Sequence, residues 1–183
     1  MRRVLLLVLL VLLALTWWAR RTPPPQAPTA AAGGERVDWF VEDFRITTFD
    51  AQGRPTRRIS GDRMAHYLPS GVTRLHAPHL TLEARSGPRW TIRAESGILS
   101  ADNRRLRLPG EVEIERHAPD EPPLAIHTRD LLVKPEAEYA ETSQAVKVTR
   151  GADWLSAVGM EAWLHPPMRI RFLSRTRAHH AVP

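Results

Sequence analysis

The chain has 183 residues, enough for one domain with a sizeable core, and its 43% apolar content is that of an ordinary globular protein. The absence of cysteine excludes disulfides, iron–sulfur clusters and thiolate zinc sites. Four of the 26 basic residues behind the formal charge of +6, Arg2, Arg3, Arg20 and Arg21, flank an apolar run; the other 22 face 20 acidic residues without forming a basic stripe among aromatics, so no nucleic-acid partner is expected.

Val4 to Ala19 is apolar except for Thr16. As a helix it is about 24 Å long, short of the roughly 30 Å hydrocarbon layer. Arginine stems at both ends can snorkel to extend it, and Trp17 and Trp18 stand where an interfacial aromatic belt belongs. Residues 1–21 are therefore expected to form an uncleaved transmembrane helix. The competing reading is a cleaved signal peptide ending near Ala30-Ala31-Ala32; against it stand Arg20, Arg21 and the prolines at 23, 24, 25 and 28 in between. A bulky domain after a short N-terminus favours a cytoplasmic N-terminus and an exported domain. Residues 22–37, rich in Pro, Ala and Gly, read as a tether, and residues 38–183 as the exported domain.

From Asp38 the pattern has period two. Phe40, Phe44 and Ile46 open the domain, Ala51-Gln52-Gly53 turns the chain, and Pro69-Ser70-Gly71 turns it again. Pro78 interrupts the next extended region, which holds Leu75, Leu80 and Leu82. Trp90 to Ile98 reads as one half-buried strand, with Trp90, Ile92, Ala94 and Ile98 on one face, Thr91, Arg93 and Glu95 on the other, and Gly97 as a bulge. After a turn at Ala101-Asp102-Asn103, Pro109-Gly110 reads as a tight turn between Leu108 and Val112. Val112 and Ile114 alternate with glutamates; Leu124, Ile126 and Thr128, then Leu131 and Val133, then Val146 and Val148 follow in further strands. Val158, Met160, Ala162 and Leu164 form another alternating set, and Met168, Ile170 and Phe172 alternate with Arg169 and Arg171 in a last strand. Thr91–Leu99 is faintly echoed by Leu155–Ala162, too loosely to define a solenoid. No segment after Asp38 has the length and period of a helix. Many short strands between turns imply an all-β barrel, sandwich or open jelly roll.

Reaction chemistry is missing from the sequence. Eight histidines occur, but His76 and His79 are separated by Pro78, and His179-His180 lies near the C-terminal end. Asp102, Asp120 and Asp130 sit near turns, where capping explains them. Ser60, Ser96 and Ser156 lack a nucleophile elbow, and there is no phosphate-binding glycine loop. No enzyme activity, metal or cofactor is expected.

Trp39-Phe40-Val41-Glu42-Asp43-Phe44, Gly61-Asp62-Arg63-Met64-Ala65-His66-Tyr67, Trp90 to Gly97, Leu108-Pro109-Gly110-Glu111-Val112-Glu113-Ile114 and Ala157-Val158-Gly159-Met160-Glu161-Ala162 follow the N-terminal run in this order. Together they resemble the LptC family, the bitopic inner-membrane component of lipopolysaccharide export in Gram-negative bacteria. The family's Leu-x-Gly-x-Val-x-Ile pattern is matched at Leu108, Gly110, Val112 and Ile114, and its late Gly-Met pair at Gly159-Met160. The resemblance implies an open antiparallel periplasmic β-jelly-roll whose apolar groove carries lipid acyl chains. It also implies docking to the permease LptF/LptG with its ATPase LptB, and to the bridge protein LptA. The groove candidates are Trp90, Ile92, Ala94, Val112, Ile114, Leu124, Ile126 and Met160; the docking candidates are Phe40 and Phe44 at one end and Met168, Ile170 and Phe172 at the other. The alternative is a membrane-tethered scaffold that docks jelly-roll partners without binding lipid.

Overall fold

The computed structural model describes residues 34–83, 88–118, 121–164 and 169–180. The expected anchor and most of the tether, together with Asp120 and Met168, lie outside the described residues. Among the described residues no helix is long and apolar enough to cross a membrane.

Residues Glu35–Pro183 make one compact unit, built on an antiparallel sheet. Its strands are β1 (Arg36–Phe49), β2 (Pro55–Leu68), β3 (Thr73–His76), β4 (His79–Leu82), β5 (Arg89–Ala94), β6 (Ser96–Leu99), β7 (Leu106–His117), β8 (Leu124–Lys134), β9 (Tyr139–Arg150), β10 (Asp153–Trp163) and β11 (Arg169–His179). A 3-10 turn at Pro135–Ala137 joins β8 to β9. β3 and β4 lie end to end along β2, and β5 and β6 end to end along β7. Each row of the sheet thus pairs with the row before it in sequence, from β1 at one edge to β11 at the other. This rolled meander is consistent with the jelly roll implied by the resemblance.

The turns follow local chemistry. Asp50 Oδ1 accepts from the backbone N–H groups of Gln52 (2.9 Å) and Arg54 (3.0 Å), closing the β1–β2 hairpin. Ser100 and Asp102 do the same before β7, with Asp102 accepting from Arg104 N–H at 3.1 Å and Ser100 Oγ from Arg105 N–H at 3.0 Å.

A line of irregularities runs across the middle of the sheet, in every row but β2, which runs through unbroken. It passes through Asp43 in β1, Ala77-Pro78 between β3 and β4, and Glu95 between β5 and β6. It continues through Gly110 in β7, Asp130 in β8, Ser143-Gln144 in β9, Gly159 in β10 and Arg175 in β11. Six of these residues have left-handed backbones, with φ of 48° at Asp43 and Ala77, 79° at Gly110, 51° at Asp130, 78° at Gly159 and 49° at Arg175. Bulges bend and twist a strand, and here they align into one crease about which the sheet folds so that its two halves share a core. Polar side chains satisfy backbone groups freed along the crease. Gly110 N–H donates to Asp130 Oδ1 (3.0 Å), Thr128 to the Ala145 carbonyl (3.0 Å), Thr142 to the Arg129 carbonyl (2.7 Å) and Ser174 to the Val158 carbonyl (3.2 Å).

The crease corrects two sequence expectations. Trp90–Ile98 is two strands, not one: the chain bends at Glu95, the alternation slips, and Gly97 becomes buried while Ile98 is exposed. Gly97 packs rather than bulges, since a Cβ there would lie 3.3 Å from Leu106 and Leu108. Pro109-Gly110 is not a tight turn but a bulge within β7, because β8 pairs on both sides of it.

The two crease glycines differ in their surroundings. A Cβ on Gly110 meets nothing within 4 Å, whereas one on Gly159 would lie 2.8 Å from Leu173 Cδ1 and 3.1 Å from its Cβ. Gly110→Ala should cost about 1–2 kcal/mol, the left-handed backbone penalty alone. Gly159→Ala should cost roughly 1–3 kcal/mol more, because β11 is overpacked as well. Chemical denaturation of both variants checks this, and equal losses would contradict the seating of Leu173 over Gly159.

Candidate functional site

The inner face of the sheet carries an unbroken apolar row. Cross-strand partners run Ile46, Ile59, Leu80, Ile92, Ile114, Ile126, Val148, Leu155 and Ala178, from β1 to β11. A second row on the other side of the crease runs Trp39, His66, Thr73, Leu99, Leu106, Val133, Ala140, Ala162 and Ile170. β-Branched and aliphatic side chains at alternating positions put these rows on the inner face. Folding at the crease brings their centres into one core.

Six of the groove candidates, Trp90, Ile92, Val112, Ile114, Ile126 and Met160, are buried, and Ala94 and Leu124 are half-buried. Trp90, Ile92, Ile114, Ile126 and Met160 meet Leu82, Ala140, Ala162, Leu164 and Ile170 around a cavity of only about 10 Å³. That is about the least that holds one water, so the centre of the apolar path is filled by its own side chains. The first row is open at its β1 end, where Ile46 is 45% exposed, and at β11, where Ala178 is exposed. Ile46, Ile59, Leu80, Val148 and Leu155 complete it and were not among the candidates. Their alternation was visible in the sequence, but only the register joins them.

The two sheet edges carry the docking candidates. Along β1, Val37, Trp39, Phe40, Val41, Ile46 and Phe49 are all exposed, and no described strand pairs with its outer edge. A long apolar edge is an association surface unless covered. Phe40 stands 54% exposed under the Arg63 guanidinium, 4.6 Å from its ring centre. Phe44, by contrast, is 5% exposed and belongs to the core beneath Gly61, where a Cβ would lie 2.8 Å from its ring. At the other edge Ile170 and Phe172 turn half-buried against the core, and Arg169, Arg171, Arg175 and Arg177 are exposed. β11 is fastened to β10 by the Arg171–Glu161 ion pair and by Arg171 over the Trp163 ring at 5.8 Å. Tyr139 packs edge-on against Trp163 and donates to Glu141 at 2.9 Å; burial and that carboxylate push its phenol up to about 12.

A second concave region lies on the opposite face. A trough of about 920 Å³ crosses the outer face over β5, β7, β8, β9 and β10. Its exposed or half-exposed lining includes Arg93, Glu113, His127, Lys147, Ser156 and Trp154, which share the face opposite the apolar rows. His79, one strand beyond, is held below the ordinary histidine value by burial, with Arg93 adding to the effect and Glu115 opposing it. No group of three or more His, Asp or Glu among the described residues is placed to hold a metal.

A family model described as lipopolysaccharide-assembly, LptC-related, matches residues 4–181. No curated protein matches the chain.

Proposed function

Because this chain belongs to the LptC-related family of lipopolysaccharide-assembly proteins, we propose that it receives lipopolysaccharide extracted from the inner membrane and passes it along the inner face of its rolled sheet to a soluble periplasmic bridge protein. Family membership carries a part in lipopolysaccharide export, which is transport and not catalysis, and an inner-membrane protein facing the periplasm. The observation supporting the carrier reading is the apolar row from Ile46 to Ala178, continuous across the sheet from one free edge to the other. Acyl chains are driven out of water into such a surface. The filled centre means that passage requires the two halves to part, with lipid replacing the Ile92, Ile114 and Ile126 contacts.

On this reading the exposed β1 edge docks the permease LptF/LptG, powered by LptB, and the β11 edge docks the LptA-like bridge. Backbone pairing at both edges would extend one sheet through the partners. Residues 1–21 hold the chain in the membrane as a single span with its N-terminus in the cytoplasm, residues 22–37 serve as the tether and residues 38–183 as the periplasmic domain.

Photo-crosslinking amino acids at positions 92, 114 and 126, in the assembled and energised transporter, should capture lipopolysaccharide, and capture should fall when ATP is withheld. The filled core also favours a second reading, a tethered scaffold that docks partners without carrying lipid. Capture at none of the three positions, with the complex intact, decides for the scaffold.

A further inference from the structure

The outer trough has no part in either reading of the apolar face, and its chemistry differs from that face. We propose that it is a saccharide site that takes an anionic sugar chain.

Its volume of about 920 Å³ is at the upper end of the range for small-molecule sites. The floor is shallow because Ala145 and Ser156 are small, and the walls are long polar side chains. Val112, Val146 and Ala157 lie beneath it with side chains buried in the core, so the space opens only on the polar face. The indole of Trp154 stands 40% exposed at the wall and stacks on the His179 ring at 6.0 Å, which fixes its plane. A fixed, exposed indole offers a flat apolar surface for the C–H face of a sugar ring, while the surrounding charged groups meet the hydroxyls.

The charge balance selects an anion. Arg93 is engaged by Glu115 at 3.1 Å and Glu113 at 3.8 Å, and Arg129 by Glu111 at 3.5 Å. Lys147 lies in the same lining with no ion pair among the described residues. One uncommitted ammonium beside an aromatic platform suits a sugar bearing phosphate or carboxylate.

The placement ties the site to the proposed cargo, and this step rests on the lipopolysaccharide reading. Trp154 and Ser156 lie on β10, one strand from the free β11 edge. Lys147 on β9 is two strands from it, roughly 10 Å at the usual strand spacing. Before the bridge docks on that edge, a molecule whose acyl chains sit on the inner face can fold its sugar chain over it and seat it outside.

The test uses the full chain in detergent and calorimetric titration with deacylated, phosphorylated saccharide prepared from lipopolysaccharide. The same saccharide after phosphatase treatment, and inorganic phosphate alone, are the comparison arms. Binding should be saturable, and Trp154→Ala and Lys147→Ala should each weaken it about tenfold or more, the scale of a charge-assisted contact. Lys147 is exposed, so Lys147→Ala should leave the thermal transition unmoved, and Trp154→Ala, which also loses the His179 stack, is titrated well below its own transition; Ala145→Trp, which fills the trough, should abolish binding independently. The proposal is overturned by no binding, by binding insensitive to all three substitutions, by equal binding of the dephosphorylated saccharide, or by inorganic phosphate binding as tightly as the sugar. Failure of inner-face capture with saccharide binding intact would remove the carrier reading and leave this site standing.

Discussion

Replacing Leu108 by alanine should produce a large loss of stability. Leu108 is 0% exposed and sits beside the crease, paired across to Leu131 and packed over Gly97. Removing three carbons there loses their transfer free energy and leaves a cavity, because bulges and hydrogen bonds on both sides hold the backbone in place. The expected cost is about 2–5 kcal/mol. For a domain of this size that lowers the melting temperature by roughly 5–15 °C. Thermal denaturation of the full chain in detergent checks it, and a drop of less than about 2 °C would mean that the core collapses freely around the crease.

Phe40→Asp should have the opposite signature: a large loss of association with little loss of stability. The ring is 54% exposed and rests under Arg63, whose guanidinium can pair with a carboxylate placed there. Exposed substitutions of this kind shift stability by no more than about 0.5 kcal/mol. If β1 is the edge that docks the permease, a charge at its most apolar stretch should weaken the complex about 30-fold or more, the size of a buried aromatic hot spot. Pull-down of the permease against a titrated chain gives the ratio. An unchanged complex would move the docking site away from β1.

The sequence carried much of the inner face. Trp90, Ile92, Ile114, Ile126 and Met160 were legible because period-two alternation fixes which residues of a strand share a face. The docking pair Phe40 and Phe44 shows the limit. Both are aromatic and four apart in one strand, yet Phe40 is exposed and Phe44 buried. Asp43, with φ of 48°, sits between them, and this left-handed residue turns the strand's faces over while its pairing with β2 stays in register. A slip at Glu95 separates Ile92 from Ile98, and the bulge at Gly110 was indistinguishable from a turn until β8 was seen to pair on both sides.

Composition and alternation alone determined an all-β domain without disulfides or a reactive cluster, and named the apolar residues of each strand. Hydrophobic burial acts residue by residue, so its period is written in the chain. Register decided the rest. Whether Ile46, Ile59, Leu80 and Ile92 line up across strands depends on hairpin lengths and on the irregularities along the crease. The crease, the filled centre of the apolar path and the outer trough exist only when all those bulges align. A bulge shifts a ladder by one residue at small local cost, and that shift reverses every side chain beyond it.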